Sequence, residues 1–231
     1  MQYGFMGQIL RVDLSSGKIR TEETNQVWNR KYLGGAGLAT RYLYDEVPVG
    51  TDPLGDENLL IFMTGPLTGT ASASASRYSV VAKSPQTGIW GQANSGGSFG
   101  PALKRSGFDG IIFEGISAKP VYLSINSGNV ELCDAQHLWG KTVPETEDAI
   151  QAVSNTKCTI ASIGPAGENL VRYAAIMNNK HRAAGRCGLG AVMGSKRLKA
   201  IACSGSNPVR ITNEQEFRAA ARRQIGFLDE S

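Results

Sequence analysis

Leu10, Val12 and Leu14 alternate with Arg11 and Asp13, the period-two pattern of a strand with one buried face. Ser15-Ser16-Gly17-Lys18 then turns the chain into Ile19-Arg20-Thr21-Glu22, so residues 7–23 read as a hairpin. Residues 25–46 read as helical, broken near Gly34-Gly35 and ending before Val47-Pro48. Short apolar runs follow at Asn58–Met63, Tyr78–Ala82 and Gly110–Glu114; the first stops at Gly65-Pro66 and the second at Ser84-Pro85. Pro120 to Cys133 reads as a second hairpin turning at Asn126-Ser127-Gly128, and residues 143–154 as an acidic amphipathic helix. Strands are expected at 158–163, 171–177 and 198–203. Hairpins and meanders with few helices between strands predict an α+β fold with mainly antiparallel sheets.

Each half of the chain holds a hairpin and a glycine-rich segment, but the residues show no convincing repeat. Residues 204–211 read as a linker. Thr212 and Gln215 then form a capping box that opens a helix from Asn213 to about Gly226. The expected organisation is one domain over residues 1–206, followed at 207–231 by a linker and the first helix of a further domain. The chain is therefore expected to be a piece of something longer.

Composition narrows the class. Among 231 residues, 41% are hydrophobic and 19% charged, enough apolar material for a core and too little charge for a disordered chain. The net charge of +4 leans toward anionic ligands and is too weak to argue for nucleic acid. No apolar run approaches the roughly 18 residues of a membrane helix, and Met1 to Gly7 has neither a basic start nor an apolar core. Cys133, Cys158, Cys187 and Cys203 are scattered, with no C-x-x-C and no pairing with His137 or His181 at metal spacing. Four dispersed cysteines fit a reducing cytoplasm and are read as small buried apolar residues.

Glycine changes the picture most. The chain has 28, against about 16 at a usage of roughly 7%, and the excess is clustered. One cluster runs from Gly88 to Gly100 and includes Asn94, Gly96 and Gly97; the other runs from Arg182 to Lys196 and includes Gly185, Arg186, Gly188, Gly190 and Gly194. Glycine lets backbone N–H groups close on an anion, and arginine offers a two-pronged fork to phosphate. The alternative is turns between strands flanked by surface arginines. Arg77 follows a hydroxyl-rich stretch, residues 64–76, and needs an anionic partner, either a ligand or an acidic residue of the chain. Two nucleotide motifs fail. Gly188-Leu-Gly190-Ala-Val-Met-Gly194 lacks the spacing, the βαβ context and the later acidic residue of a dinucleotide fingerprint, and Gly194-Ser195-Lys196 inverts the P-loop order.

Several ordered segments carry a resemblance. They are Gly7-Gln-Ile-Leu-Arg-Val-Asp-Leu14, Tyr44-Asp-Glu-Val-Pro48, Gly65-Pro-Leu-Thr-Gly69, Arg77-Tyr-Ser-Val-Val-Ala-Lys-Ser-Pro85, Asn94-Ser-Gly-Gly97 and Gly100-Pro-Ala-Leu-Lys-Arg105. His137-Leu-Trp-Gly140, Ile163-Gly-Pro-Ala-Gly-Glu-Asn-Leu170, Arg182-Ala-Ala-Gly-Arg186 and Gly190-Ala-Val-Met-Gly-Ser-Lys196 complete the set. Together, to about residue 206, they resemble the N-terminal domain of the aldehyde:ferredoxin oxidoreductase family, and its aldehyde-oxidising branch more than its benzoyl-CoA reductase branch.

The resemblance implies a platform of two β-sheets under a bis-pterin tungsten (or molybdenum) cofactor whose phosphates meet across magnesium. By motif, Arg77, Gly96, Arg182, Gly185 and Arg186 would contact pterin and phosphates. Asn94 would give magnesium its side-chain oxygen and Ala183 its backbone carbonyl. The implied whole enzyme is cytoplasmic and anaerobic. It oxidises an aldehyde to a carboxylic acid and passes electrons through a [4Fe-4S] cluster to ferredoxin, with the cluster ligands and acid–base residues in other domains. This domain alone would be inert. Its partners would be the remaining domains and a second copy, reached through an apolar, glycine-lined face. Cys187, Glu168 and Asn169 are expected to be structural, and His137 a strand-end or loop residue; His181 adjoins Arg182. The alternative is a stand-alone, non-catalytic pterin-binding or structural module.

Overall fold

The computed structural model describes residues 3–229; residues 1, 2, 230 and 231, at the ends of the two expected segments, lie outside them. The strands are β1 (Gln8–Asp13), β2 (Ile19–Glu23), β3 (Leu60–Thr64), β4 (Tyr78–Lys83), β5 (Trp90–Ser95), β6 (Gly110–Glu114), β7 (Val121–Asn126), β8 (Asn129–Asp134), β9 (Thr159–Ser162), β10 (Ile176–Asn178), β11 (Arg182–Ala184) and β12 (Leu198–Ser204). The helices are α1 (Gln26–Tyr32), α2 (Gly35–Glu46), α3 (Phe99–Arg105), α4 (Val143–Val153), α5 (Pro165–Glu168), α6 (Leu189–Ser195) and α7 (Glu214–Asp229).

The strands form two six-stranded sheets, ordered β2-β1-β6-β3-β4-β5 and β8-β7-β12-β9-β10-β11. Each has a single parallel pair, β1 with β6 and β7 with β12. The mainly antiparallel α+β fold is therefore as expected. The two orders are also the same order, six strands apart. In each half a hairpin leads off, its first strand lies parallel to the last strand, and a three-strand meander fills the other side. The halves share topology without a shared residue pattern.

Alternation explains the layers. Leu10, Val12, Phe62, Tyr78, Val80 and Ala93 face one shared core with Leu123, Ile125, Ile176 and Ile201 of the second sheet. α3 and α6 lie inside this core, with Phe99, Leu103, Leu189, Val192 and Met193 fully buried. These two interior helices, in the glycine-rich segments, were not expected; the few flanking helices that were expected are present as α1, α2 and α4. α1 and α2 cover the outer face of the first sheet over Ile9, Ile61, Met63, Val81 and Ile112. α4 covers the outer face of the second over Ile160, Ala200 and Ala202. The outer face of β1 also holds Arg11, buried among Glu22, Glu46 and Glu114, with a two-pronged contact to Glu46 at 2.6 and 2.7 Å.

Three local expectations are corrected. Residues 171–177 do not form one strand; β10 covers only Ile176–Asn178, because the preceding residues turn back on α5, with Val171 N–H donating to Ala166 O. The capping box at Thr212 is not formed. Asn213 caps α7 instead, its side-chain oxygen accepting from Glu216 N–H at 3.1 Å, since asparagine at that position is a better cap than threonine. Of the cysteines only Cys203 is buried, the other three being half-buried.

Residues 205–211 are irregular but pinned. Asn207 N–H donates to Arg105 O and Gly4 N–H to Arg210 O. α7 lies against the loop between β3 and β4, where Gln224 Oε1 accepts from Ser72 Oγ and Ala73 N–H.

Candidate functional site

The corresponding edge strands of the two sheets, β5 and β11, lie against each other. Each ends in a glycine loop that runs into an interior helix: β5, Gly96-Gly97, α3 on one side, and β11, Gly185 to Gly188, α6 on the other. The two glycine clusters of the sequence are thus the same place in the two halves.

Four of the expected residues converge here. Arg77, one residue before β4, donates from Nε (2.9 Å) and from Nη2 to the side-chain oxygen of Asn94 on β5. Asn94 sits opposite Ser79 across the β4–β5 ladder, on the solvent face, and is exposed. A Cβ at Gly96 would lie 3.7 Å from Arg182 Nη1 and 3.9 Å from Arg77 Nη1. Two guanidinium groups, one from each half, therefore approach one point over a residue that has no side chain to fill it. Neither Arg77 nor Arg182 has a carboxylate partner among the described residues. Two like charges held this close call for an anion between them, so the ion-pair reading of Arg77 fails.

Ala183, Gly185 and Arg186 lie just beyond on β11 and its loop, all three exposed. Arg186 makes no contact with the other arginines that the structure records. His181 is exposed in the β10–β11 turn, and His137 lies in a short 3₁₀ turn. Cys187 packs into the framework: its backbone oxygen accepts from Ser84 Oγ and its Cβ lies 3.0 Å from the Cβ position of Gly91. Glu168 is structural, accepting from Gly140 N–H and from the buried Lys199 ammonium.

The sequence reading missed three residues. Ser76 Oγ is 3.7 Å from the Cβ position of Gly96. Asn178 and Asn179, at the end of β10, bond directly to the Gly96–Ser98 loop. The signal was present in Asn178-Asn179-Lys180: paired asparagines are common turn formers, and Asn179 and Lys180 do adopt positive φ of 49° and 62°.

The chemistry of this surface is that of a phosphate seat: guanidinium forks, open backbone, a hydroxyl and an amide oxygen. Among the described residues, no three of His, Cys, Asp or Glu stand together as a metal site. Oxygen donors such as Asn94 Oδ1 and the Ala183 carbonyl suit a hard cation such as magnesium. A phosphate-bearing cofactor that brings its own ligands to a softer metal fits this donor set.

A family model described as "Aldehyde ferredoxin oxidoreductase, N-terminal domain" matches residues 9–205. A tungsten-containing aldehyde ferredoxin oxidoreductase of Thermococcus kodakarensis is 55% identical over 227 residues, 98% of this chain and 38% of the relative. The Pyrococcus furiosus protein of the same description is 52% identical over the same shares. The WOR-like subunit of an aliphatic sulfonate oxidoreductase from Pyrococcus furiosus is 40% identical, over 96% of this chain and 38% of its own length. Among solved structures, the BamBC active-site complex of benzoyl coenzyme A reductase, determined with 1,5-dienoyl-CoA, superposes with a TM-score of 0.97 at 38% identity, covering 100% of this chain and 35% of that one. The chain thus spans about 38% of the length of the curated relatives it matches.

Proposed function

The chain belongs to the aldehyde ferredoxin oxidoreductase family as its N-terminal domain, and from that premise we propose that it is the cofactor platform of a tungsten-pterin enzyme oxidising an aldehyde to a carboxylic acid. The observation that carries the reading is the convergence of Arg77 and Arg182 on Gly96 with no carboxylate between them. The higher identity to the aldehyde enzymes, 55% and 52% against 38% for the benzoyl coenzyme A reductase complex, favours the aldehyde substrate.

In this reading Arg77, Arg182 and Arg186 hold the cofactor's phosphates, and Gly96 and Gly185 let those phosphates reach the backbone. Arg77 now spends two donors on Asn94 Oδ1. A phosphate would be the stronger partner for the guanidinium, leaving Asn94 Oδ1 and the Ala183 carbonyl, one from each half, as the oxygens that would hold magnesium. When bound, the tungsten centre supplies the two-electron chemistry. The residues of this chain bind it, orient it and keep its phosphate end covered. A [4Fe-4S] cluster and ferredoxin, both outside this domain, would take the electrons. The whole enzyme works as a homo-oligomer in the anaerobic cytoplasm, a setting the four free cysteines suit. The surface around the arginines is charged; the exposed apolar residues Tyr44, Val49, Ile89 and Trp90 line a separate cleft of about 320 Å³.

Elemental analysis of the whole protein, purified without oxygen, tests the proposal. One tungsten, about four iron and magnesium per chain, with aldehyde-dependent reduction of ferredoxin, is the expected result. Whole protein that contains no tungsten and no pterin would overturn it.

A further inference from the structure

We propose that Asn178 is a positioning residue: it sets where the second half's arginine stands relative to the first half's glycine loop, and so controls anion binding without touching the anion. The inference rests on the anion site proposed above.

Asn178 is fully buried. A buried carboxamide needs partners for two lone pairs and two N–H groups, and here all four are used. Its oxygen accepts from Tyr78 OH at 3.1 Å and Ser95 Oγ at 2.8 Å. Its nitrogen donates to Gly96 O and to Asn179 Oδ1, both at 2.9 Å. The orientation is forced, because a backbone carbonyl can only accept. Three of the four partners belong to the first sheet or its loop, while Asn178 belongs to the second.

The same residue carries the arginine. Asn178 lies directly opposite Arg182 in the β10–β11 ladder, so the bond to Gly96 O and the position of Arg182 are fixed by one backbone unit. Its neighbour completes the joint: Asn179 Oδ1 accepts from Ser98 N–H at 2.9 Å, and its Nδ2 donates to Ser98 Oγ at 2.7 Å. Gly97, at φ +90°, is pressed into this contact. A Cβ there would lie 2.8 Å from both Asn178 Nδ2 and Arg182 Cδ and would collide with Asn179 Oδ1. The two halves are thus clamped at the one point where their cradles meet.

Asn178→Asp keeps the size and the accepting oxygen but turns an oxygen toward Gly96 O, which forces the clamp apart. The test uses the full-length protein in its cofactor-free form, with inorganic diphosphate as the probe in titration calorimetry. Thermal unfolding of each variant runs alongside. The expected result is an affinity lower by about tenfold or more, the size of one lost charge-assisted contact. The decisive readout is a double-mutant cycle. In an Arg182→Ala background, Asn178→Asp should cost no further diphosphate affinity, because Asn178 acts through Arg182. A merely structural role lowers the unfolding temperature and leaves the affinity losses additive, and that result overturns the proposal. If Asn178→Asp does not fold, Asn179→Ser weakens the same joint from its half-exposed side. It should shift diphosphate affinity in the same direction and show the same dependence on Arg182; an unchanged affinity overturns the proposal. Wild-type protein that binds no diphosphate overturns the anion site itself, and this inference with it. Diphosphate bound equally by wild type and Asn178→Asp overturns the inference alone.

Discussion

Arg77 and Asn94 are joined side chain to side chain, the guanidinium donating from Nε and Nη2 to a single amide oxygen. An exposed arginine that finds only a neutral acceptor retains most of its capacity for an anion. Arg77→Ala should therefore reduce tungsten and pterin per chain to about a tenth or less, the equivalent of one charged hydrogen bond. Arg77→Lys restores the charge without the fork and should recover only part of the loss. Elemental and pterin analysis of whole protein reads both.

Asn94→Ala separates the two partners differently. Arg77 keeps its charge, so diphosphate affinity should hold or rise, whereas magnesium content should fall. Calorimetry and metal analysis on one preparation distinguish these effects, and equal loss of both ligands would count against assigning the amide oxygen to the cation.

Gly97→Ala places a methyl group where Asn179 Oδ1, Arg182 and Asn178 already stand, at a φ of +90°. Left-handed backbone costs about 1–2 kcal/mol for a residue with a Cβ, and the collision adds to it. Urea denaturation should show a loss of more than about 2 kcal/mol. Gly88→Ala, where nothing lies within 4 Å of the new atom at φ +73°, should cost only the backbone part.

Lys199 and Glu168 form an ion pair with both side chains buried. Burial lowers the Lys199 pKa and the carboxylate partly restores it. Glu168→Gln leaves a buried charge without its partner and should destabilise the protein by about 3–5 kcal/mol, read as a lower urea midpoint with an unchanged slope.

Lys196 is fully buried, its ammonium donating to Gly115 O at 2.9 Å and Asp56 O at 3.5 Å, with the Asp56 and Glu114 carboxylates acting on it from further away. Desolvation pulls its pKa from 10.5 down to about 8. Between those values the unfolded chain holds a proton that the folded chain has lost. Unfolding therefore takes up a proton, and this residue's contribution to stability rises with pH. From pH 8 to 9, wild type should gain stability relative to Lys196→Met. Denaturation curves at the two pH values that shift in parallel would rule this out.

Much of the architecture is legible in the chain because alternation is. Leu10, Val12 and Leu14 announce a half-buried strand, and the runs at Phe62 and Ile111 announce buried ones. What escapes is informative. β5 alternates Gly91, Ala93 and Ser95 inward with Trp90, Gln92 and Asn94 outward, a strand whose inner face is too small to register as apolar. α6 contains Gly190 and Gly194, which read as loop. They are glycine because the helix touches backbone: a Cβ at Gly190 would lie 2.5 Å from Ala175 O, and one at Gly194 would collide with Gly167 O. The duplicated topology is invisible because strand order, not residue identity, repeats. The arginines could be found from their chemistry, and Asn94 only from the family resemblance. Asn178-Asn179 signals only a turn; the role of the buried Asn178 amide shows through partners about 80 to 100 positions away.

The closeness of β5 and β11 also bears on how this protein behaves in a crowded cell. An open sheet edge is a template onto which foreign strands can add, and here β5 and β11, one edge strand from each sheet, pack close to each other without pairing. The remaining edges, β2 and β8, carry Arg20, Glu22 and Glu23 on one and Glu131 and Asp134 on the other. Charge at those positions discourages strand addition. The charges on the two outermost strands thus guard the domain against strand addition.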